Sequence, residues 1–280
     1  MKNKQNFSLA HKKYLRSLKV KAISIHTSRI LLLVLIFAIW ELSASSGLVD
    51  PFITSSPSRI IKQLEILMKD GSLLHHSWVT LYETLLAFSI STIVGTLVAI
   101  VLYGLPPIRK VLEPYLIVLN SLPKIALGPL IIVWMGTGTK SIVAMGFLIC
   151  IVITTISMLN GYLSIPKDKI LLLKTMGAKK FQILCKLIIP ATNKDFVSVL
   201  KINVGMSWVG VVMGEYLTSK AGLGYLIVYG GQVFKLDLVM CAILILCILA
   251  GLMYGLVALL EKFINRRQWF TLFLKINFYI

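Results

Sequence analysis

Six apolar segments constrain this chain more than any other feature: residues 30–46, 81–103, 114–135, 141–161, 196–217 and 238–260. Each approaches the roughly 20 residues that carry a helix across a hydrocarbon core, the first being short. Lipid offers no hydrogen-bond partner to an exposed amide, so spanning segments of this kind must be helices. Composition agrees, since 57% of the 280 residues are hydrophobic, against about 45–50% in a soluble domain. The expectation is an all-α, polytopic membrane protein with six transmembrane helices.

Charge then orients the bundle. The net charge is +18 although only 14% of residues are charged. In a membrane protein such an excess reports orientation and anionic lipid, not nucleic acid. With the N-terminus inside, segments 1–29, 104–113, 162–195 and 261–280 hold 8, 2, 7 and 4 Lys or Arg residues. Segments 47–80, 136–140 and 218–237, on the other side, hold 3, 1 and 2. Lys124 and Lys201 fall within spans. This is a positive-inside bias, and it predicts a multi-pass protein of the cell membrane with both termini cytoplasmic. The expected divisions are a basic tail over 1–29, a transmembrane domain over 30–265 and a second tail over 266–280, where Arg266 and Arg267 anchor the end inside. The tail and first span read as an uncleaved anchor, because the apolar run is too long for a signal peptide and shows no clear cleavage site.

One polar interruption stands out among the spans. Residues 165–195 read IPKDKILLLKTMGAKKFQILCKLIIPATNKD. Pro166 and Asp168 suit a helix start, and Gly177 suits its stop. A second helix is predicted from about Ala178 to Ile189. Phe181, Leu184, Cys185 and Ile188 share its apolar face, and Pro190 stops or kinks it. On pattern alone this is either a basic loop that fixes topology or a surface that docks a soluble partner.

Catalytic and metal chemistry find little support. Met135–Ser141 reads MGTGTKS, but a phosphate loop needs Gly directly before Lys, and Thr139 intervenes. No Ser-His-Asp set, HExxH motif or carboxylate pair stands out. His75 and His76 are neighbours on a helix and point apart, so they make a poor metal site. The four Cys residues (150, 185, 241 and 247) read as small hydrophobes with free thiols. No catalytic residue, metal or cofactor is expected.

Several segments are polar or irregular inside the apolar runs. The third span is broken by SLPKIALGPL, where Pro123, Gly128 and Pro129 would kink a helix. Lys124 lies in that kink, reading either as a pathway or ion-pair residue or as a lysine snorkelling to an interface. Glu83 lies near the outer interface, where snorkelling explains it as well as function does. Gly210 and Gly214, and Gly251 and Gly255, are small-xxx-small pairs that favour close helix packing. In the first outer loop, Ser58 is expected to cap a helix whose Ile60, Ile61, Leu64, Leu67 and Met68 share a face.

These motifs, taken in order, resemble a known family. Gly177, Ala178, Ile189, Pro190 and Ala191 stand where the cytoplasmic coupling loop of ABC importer permeases places them. The Pro57-Ser58 pair, the Thr80, Leu81, Leu85, Phe88 opening of the second span, and Trp208, Glu215 and Gly222-Leu223-Gly224-Tyr225-Leu226 resemble the nitrate/sulfonate/taurine branch. The chain departs from that pattern at one point: the loop's Glu-Ala-Ala falls on Leu171, Leu172 and Leu173. The resemblance implies a permease homodimer, separate ATPase subunits and a solute-binding protein outside the cell. Its substrates would be nitrate, sulfonates, taurine or vitamin precursors. Coupling to the ATPase is expected through Lys174, Gly177, Ala178, Lys179, Lys180 and Pro190. A translocation path is expected along Asn120, Pro123, Lys124, Ser207, Trp208 and Glu215, with Gly222–Leu226 as an outer turn. The alternative is a secondary transporter or channel that works without an ATPase.

Overall fold

A computed structural model of the chain describes the backbone of residues 9–277, all of whose regular elements are helical. Residues 1–8 and the side chains of Arg266 and Arg267 lie outside the described residues. The chain divides into two compact units, 1–65 and 66–280.

In the first unit, α1 (Leu9–Ser45) already begins inside the basic tail. Asp50 caps the short α2 (Pro51–Thr54), accepting from the Phe52 amide at 2.8 Å. The next helix, α3, runs Pro57–Lys69. Its cap is Ser56, which accepts from the Arg59 amide at 3.4 Å, and not Ser58 as expected. Pro57 fits the first helical position because it has no amide to orphan, which moves the cap one residue earlier. Ser58 instead gives its hydroxyl and amide to Glu41, at 2.8 and 2.9 Å. Ile60 and Leu67 are buried, while Ile61 and Met68 are exposed.

The second unit carries the rest. Four further helices are long and apolar enough to cross a membrane: α4 (Ser72–Gly104), α7 (Thr139–Leu163), α11 (Asn193–Thr218) and the Leu236–Ile264 part of α13 (Leu236–Asn277). The expected third span is not one kinked helix. It is α5 (Pro106–Ser121) followed by a 3₁₀ turn at Lys124–Leu127 and α6 (Gly128–Met135), set at 86° to α5. Pro123 and Pro129 remove amides on either side of the break, so one straight ladder cannot form. The expected outer turn at Gly222–Leu226 is the start of a helix, α12 (Leu223–Gln232).

Helix α7 is the centre of this unit, with α4 on one side and α11 on the other. Small residues set both distances. A side chain added at Gly210 would sit 2.5 Å from the Gly146 Cα, and one at Gly146 would sit 2.7 Å from the Ala87 Cβ. Gly214 faces the Ile142 backbone in the same way. Gly251 and Gly255 meet nothing within 4 Å in this chain.

A buried polar knot pins the same three helices in the middle. Asn203, 0% exposed, donates to the Thr92 hydroxyl at 2.9 Å and to the Thr154 hydroxyl at 2.8 Å. Thr154 donates onward to the Cys150 carbonyl at 2.8 Å. The Thr155 hydroxyl donates across to the Gly95 carbonyl of α4 at 3.3 Å. Side-chain hydrogen bonds of this kind hold helices together in lipid, where apolar burial supplies little.

Candidate functional site

The loop after α7 is built as a lever seated in the bundle. Helix α8 (Lys167–Thr175) stops at Gly177, whose φ is +80°. The Ala178 amide donates to the Leu173 carbonyl at 3.0 Å and the Gly177 amide to Lys174 at 2.9 Å. This paired closure needs a left-handed residue at Gly177. The chain then runs through α9 (Lys180–Ile183), a π turn at Leu184–Ile188 and α10 (Ile189–Ala191). Pro190 therefore does not stop the segment, which continues almost directly into α11.

The π turn changes which face is apolar. Its wider winding brings Ile183 and Ile188, five residues apart, to the same side. Both are buried in a cluster with Leu102 of α4, Tyr162 of α7 and Val199 of α11. Phe181 and Cys185, expected on that face, are exposed, Phe181 by 73%. Lys174, Gly177, Lys179, Lys180 and Pro190 are exposed and Ala178 is half-buried. One side of the lever thus grips three helices, and the other offers Phe181 among lysines. Beside it lies a groove of about 410 Å³, walled by Tyr103, Pro106 and Ile170 with Lys174 and Lys180 at its edge.

The residues expected along the path separate into two sets. Asn120 and Pro123 are exposed at the break between α5 and the 3₁₀ turn, beside the half-buried Lys124. Lys124 Nζ donates to the Asn120 carbonyl at 3.3 Å and to its side-chain oxygen at 3.5 Å. A cation there satisfies carbonyls that the helix end leaves open. Ser207, Trp208 and Glu215 are buried within the subunit. Ser207 donates to the Val204 carbonyl at 3.0 Å. Trp208 packs with Val204, Met253 and Val257.

Glu215 belongs to a cradle at the start of α12 that single-residue reading misses. The Gly224 amide donates to its carboxylate at 2.6 Å. The Leu223 amide donates to the Thr80 hydroxyl at 2.7 Å, and the Gly222 amide to His76 Nδ1 at 3.0 Å. Three free amides of a helix N-terminus are thus answered by α4 and α11. Glu83 is no snorkelling residue. It is 2% exposed and within hydrogen-bonding reach of Glu215 and of Thr139 on α7. The sequence signal for this cradle was the Gly-Leu-Gly itself: a Cβ at Gly222 or Gly224 would overlap the Glu215 side chain.

Residues 91–268 match the family described as "Binding-protein-dependent transport system inner membrane component". A probable ABC transporter permease protein of Haemophilus influenzae is 30% identical over 236 residues, 84% of this chain and 96% of that one. The taurine transport system permease protein TauC of Escherichia coli is 26% identical, over 82% of this chain and 86% of its own. Among solved structures, a chain of the inward-facing MetNI methionine ABC transporter superposes with a TM-score of 0.62 at 19% identity, over 70% of this chain and 97% of that one. With its helices in this order and most of its length matched, the chain belongs to the binding-protein-dependent transport system inner membrane component family, as an ABC importer permease.

Proposed function

We propose that this chain forms the translocation path of an ABC importer for a small solute of the sulfonate class or a vitamin precursor. Separate ATPase subunits would drive it, and a solute-binding protein outside would load it. The single observation that carries this reading is the lever at 165–195. It is anchored on Leu102, Tyr162 and Val199 while presenting Lys174, Lys179, Lys180 and Phe181 outward. A partner that moves this surface moves α4, α7 and α11 together, so its two states differ in contact energy and bias the path. The missing acidic residue at Leu171–Leu173 leaves docking to Phe181 and the lysines. The taurine permease among the relatives supports the sulfonate class. The lining of the path would include Asn120, Pro123 and Lys124, at the break that exposes α5 and α6. A second copy of the chain would supply the facing wall.

Coupling is tested at Gly177. A side chain there meets nothing within 4 Å, so the cost of Gly177→Val is conformational alone. A left-handed backbone costs about 1–2 kcal/mol for an L-residue, and more when it is β-branched. Gly177→Val is expected to reach the membrane at parental level and to lose ATPase co-purification and uptake. Gly177→Asn, which accepts this conformation, is expected to keep both. Parental uptake by Gly177→Val would remove the lever from the mechanism.

Orientation is tested by labelling. Cys185 and Cys247 are exposed and must first be replaced. In that background, Lys220→Cys is expected to react with an impermeant thiol reagent in intact cells. Lys179→Cys is expected to react only after the membrane is opened. The reverse pattern would invert the topology.

A further inference from the structure

Two buried carboxyl groups meet at the cradle, and the importer reading gives them no task. Glu83 is 2% exposed and Glu215 1%. They come from different helices, α4 and α11, and lie within hydrogen-bonding reach of each other. One oxygen of Glu215 is taken by the Gly224 amide at 2.6 Å. The other, Oε1, has no donor, and neither has Glu83 Oε2.

Among the described residues, the surroundings supply no cation. From α4 come His76, whose Nδ1 already accepts from Gly222, and the Thr80 hydroxyl, which accepts from Leu223. From α7 come Thr139 beside Glu83 and Lys140 next to it in sequence, which is exposed. Lys220, between α11 and α12, is exposed too. From α12 comes Tyr225, stacked on the His76 ring at 5.9 Å. Neither carboxyl forms an ion pair among the described residues. Two carboxylates in contact at such a site repel each other, and one proton between them turns the repulsion into a hydrogen bond.

We propose that Glu83 and Glu215 share a single proton, and that the protonated pair is a latch holding the start of α12 against α4 and α11. Glu83 Oε2 and Glu215 Oε1, which have no donor, are the oxygens left for that bond. The proton also keeps the Glu215 carboxyl aimed at Gly224, so the cradle of α12 depends on it. Below the pH at which the proton leaves, the latch holds. Above it, two unpaired carboxylates face each other and the N-terminus of α12 is released.

The test uses the full chain in nanodiscs and needs no transport, so its failure would leave the importer reading standing. Infrared difference spectra of the parent, from neutral to alkaline pH, are expected to show loss of a protonated-carboxyl carbonyl band. Hydrogen-exchange protection of the Gly224 amide is expected to fall about tenfold over the same range. In E83Q and E215Q the amide supplies the bridging hydrogen permanently. Both are expected to lack the band and to keep Gly224 protection unchanged with pH. His76 is common to all three proteins, so a difference between the parent and the Gln variants reports the pair alone. Absence of the band in the parent would overturn the proposal. An alkaline loss of protection in both Gln variants equal to the parent's would overturn it too.

Discussion

Gly210→Val is expected to remove folded permease from the membrane. The added Cβ would stand 2.5 Å from the Gly146 Cα and 3.0 Å from its amide nitrogen. Those are backbone atoms in the middle of α7, and no rotamer change relieves them. The helices must move apart instead. Separation costs contacts on both sides of α7, because Gly146 is itself pressed on Ala87 of α4. It also lengthens the bonds from Asn203 to Thr92 and Thr154, leaving buried polar groups unpaired. Ordinary overpacking costs about 1–3 kcal/mol, and each orphaned polar group adds about 1–3 kcal/mol more. Membrane-fraction immunoblots and thermal unfolding in detergent check this outcome. Gly205 lies on the same helix with nothing within 4 Å. Gly205→Ala is therefore expected to fold at least as well as the parent, since Ala is favoured over Gly in a helix by about 1 kcal/mol.

The second large effect is expected at Gly222. Its φ and ψ are 109° and 167°, in a region that only glycine populates freely. Any side chain there costs about 1–3 kcal/mol of backbone strain. The new Cβ would also overlap the Glu215 carboxyl group. That group cannot swing away cheaply, since it holds the Gly224 amide inside a buried site. Gly222→Ala is expected to release α12 from α4 and α11 and to abolish uptake, while ATPase co-purification is expected to stay at the parental level. Uptake assays beside ATPase co-purification separate this from global unfolding. Gly231 lies in α12 with open space around its Cα, and Gly231→Ala is expected to behave as the parent.

These two positions show what was legible in the sequence and what was not. Apolar length and the distribution of lysines announce the spans, because lipid imposes both on each segment separately. Gly177 was legible as a helix stop for the same local reason. The Gly210-Gly214 pair was legible as packing, but its partner Gly146 was not, since nothing local marks the register between α7 and α11. Glu83 read as a residue near an interface and Glu215 as one along the path. Only the fold brings them together. The Asn203 knot is of the same kind: Thr92 and Thr154 are ordinary threonines until three helices cross there. The third span was legible as irregular, though not as an 86° break, because proline says where a ladder fails and not where the chain goes next. Phe181 was assigned to the wrong face because helical spacing of 3.6 residues was assumed through a turn that winds more widely.

That turn has a consequence for partner recognition. In an α-helix each residue advances the phase by about 100°. The π turn at Leu184–Ile188 inserts close to one extra residue between α9 and the start of α11. It works as a phase adjuster, setting the compass bearing of Lys180 and Phe181 relative to the spans without altering a side chain. A relative with one residue fewer here would keep the same surface chemistry and aim it about a quarter-turn away. Compatibility between a permease and an ATPase would then be encoded in a residue count, to which an inventory of contact residues is blind.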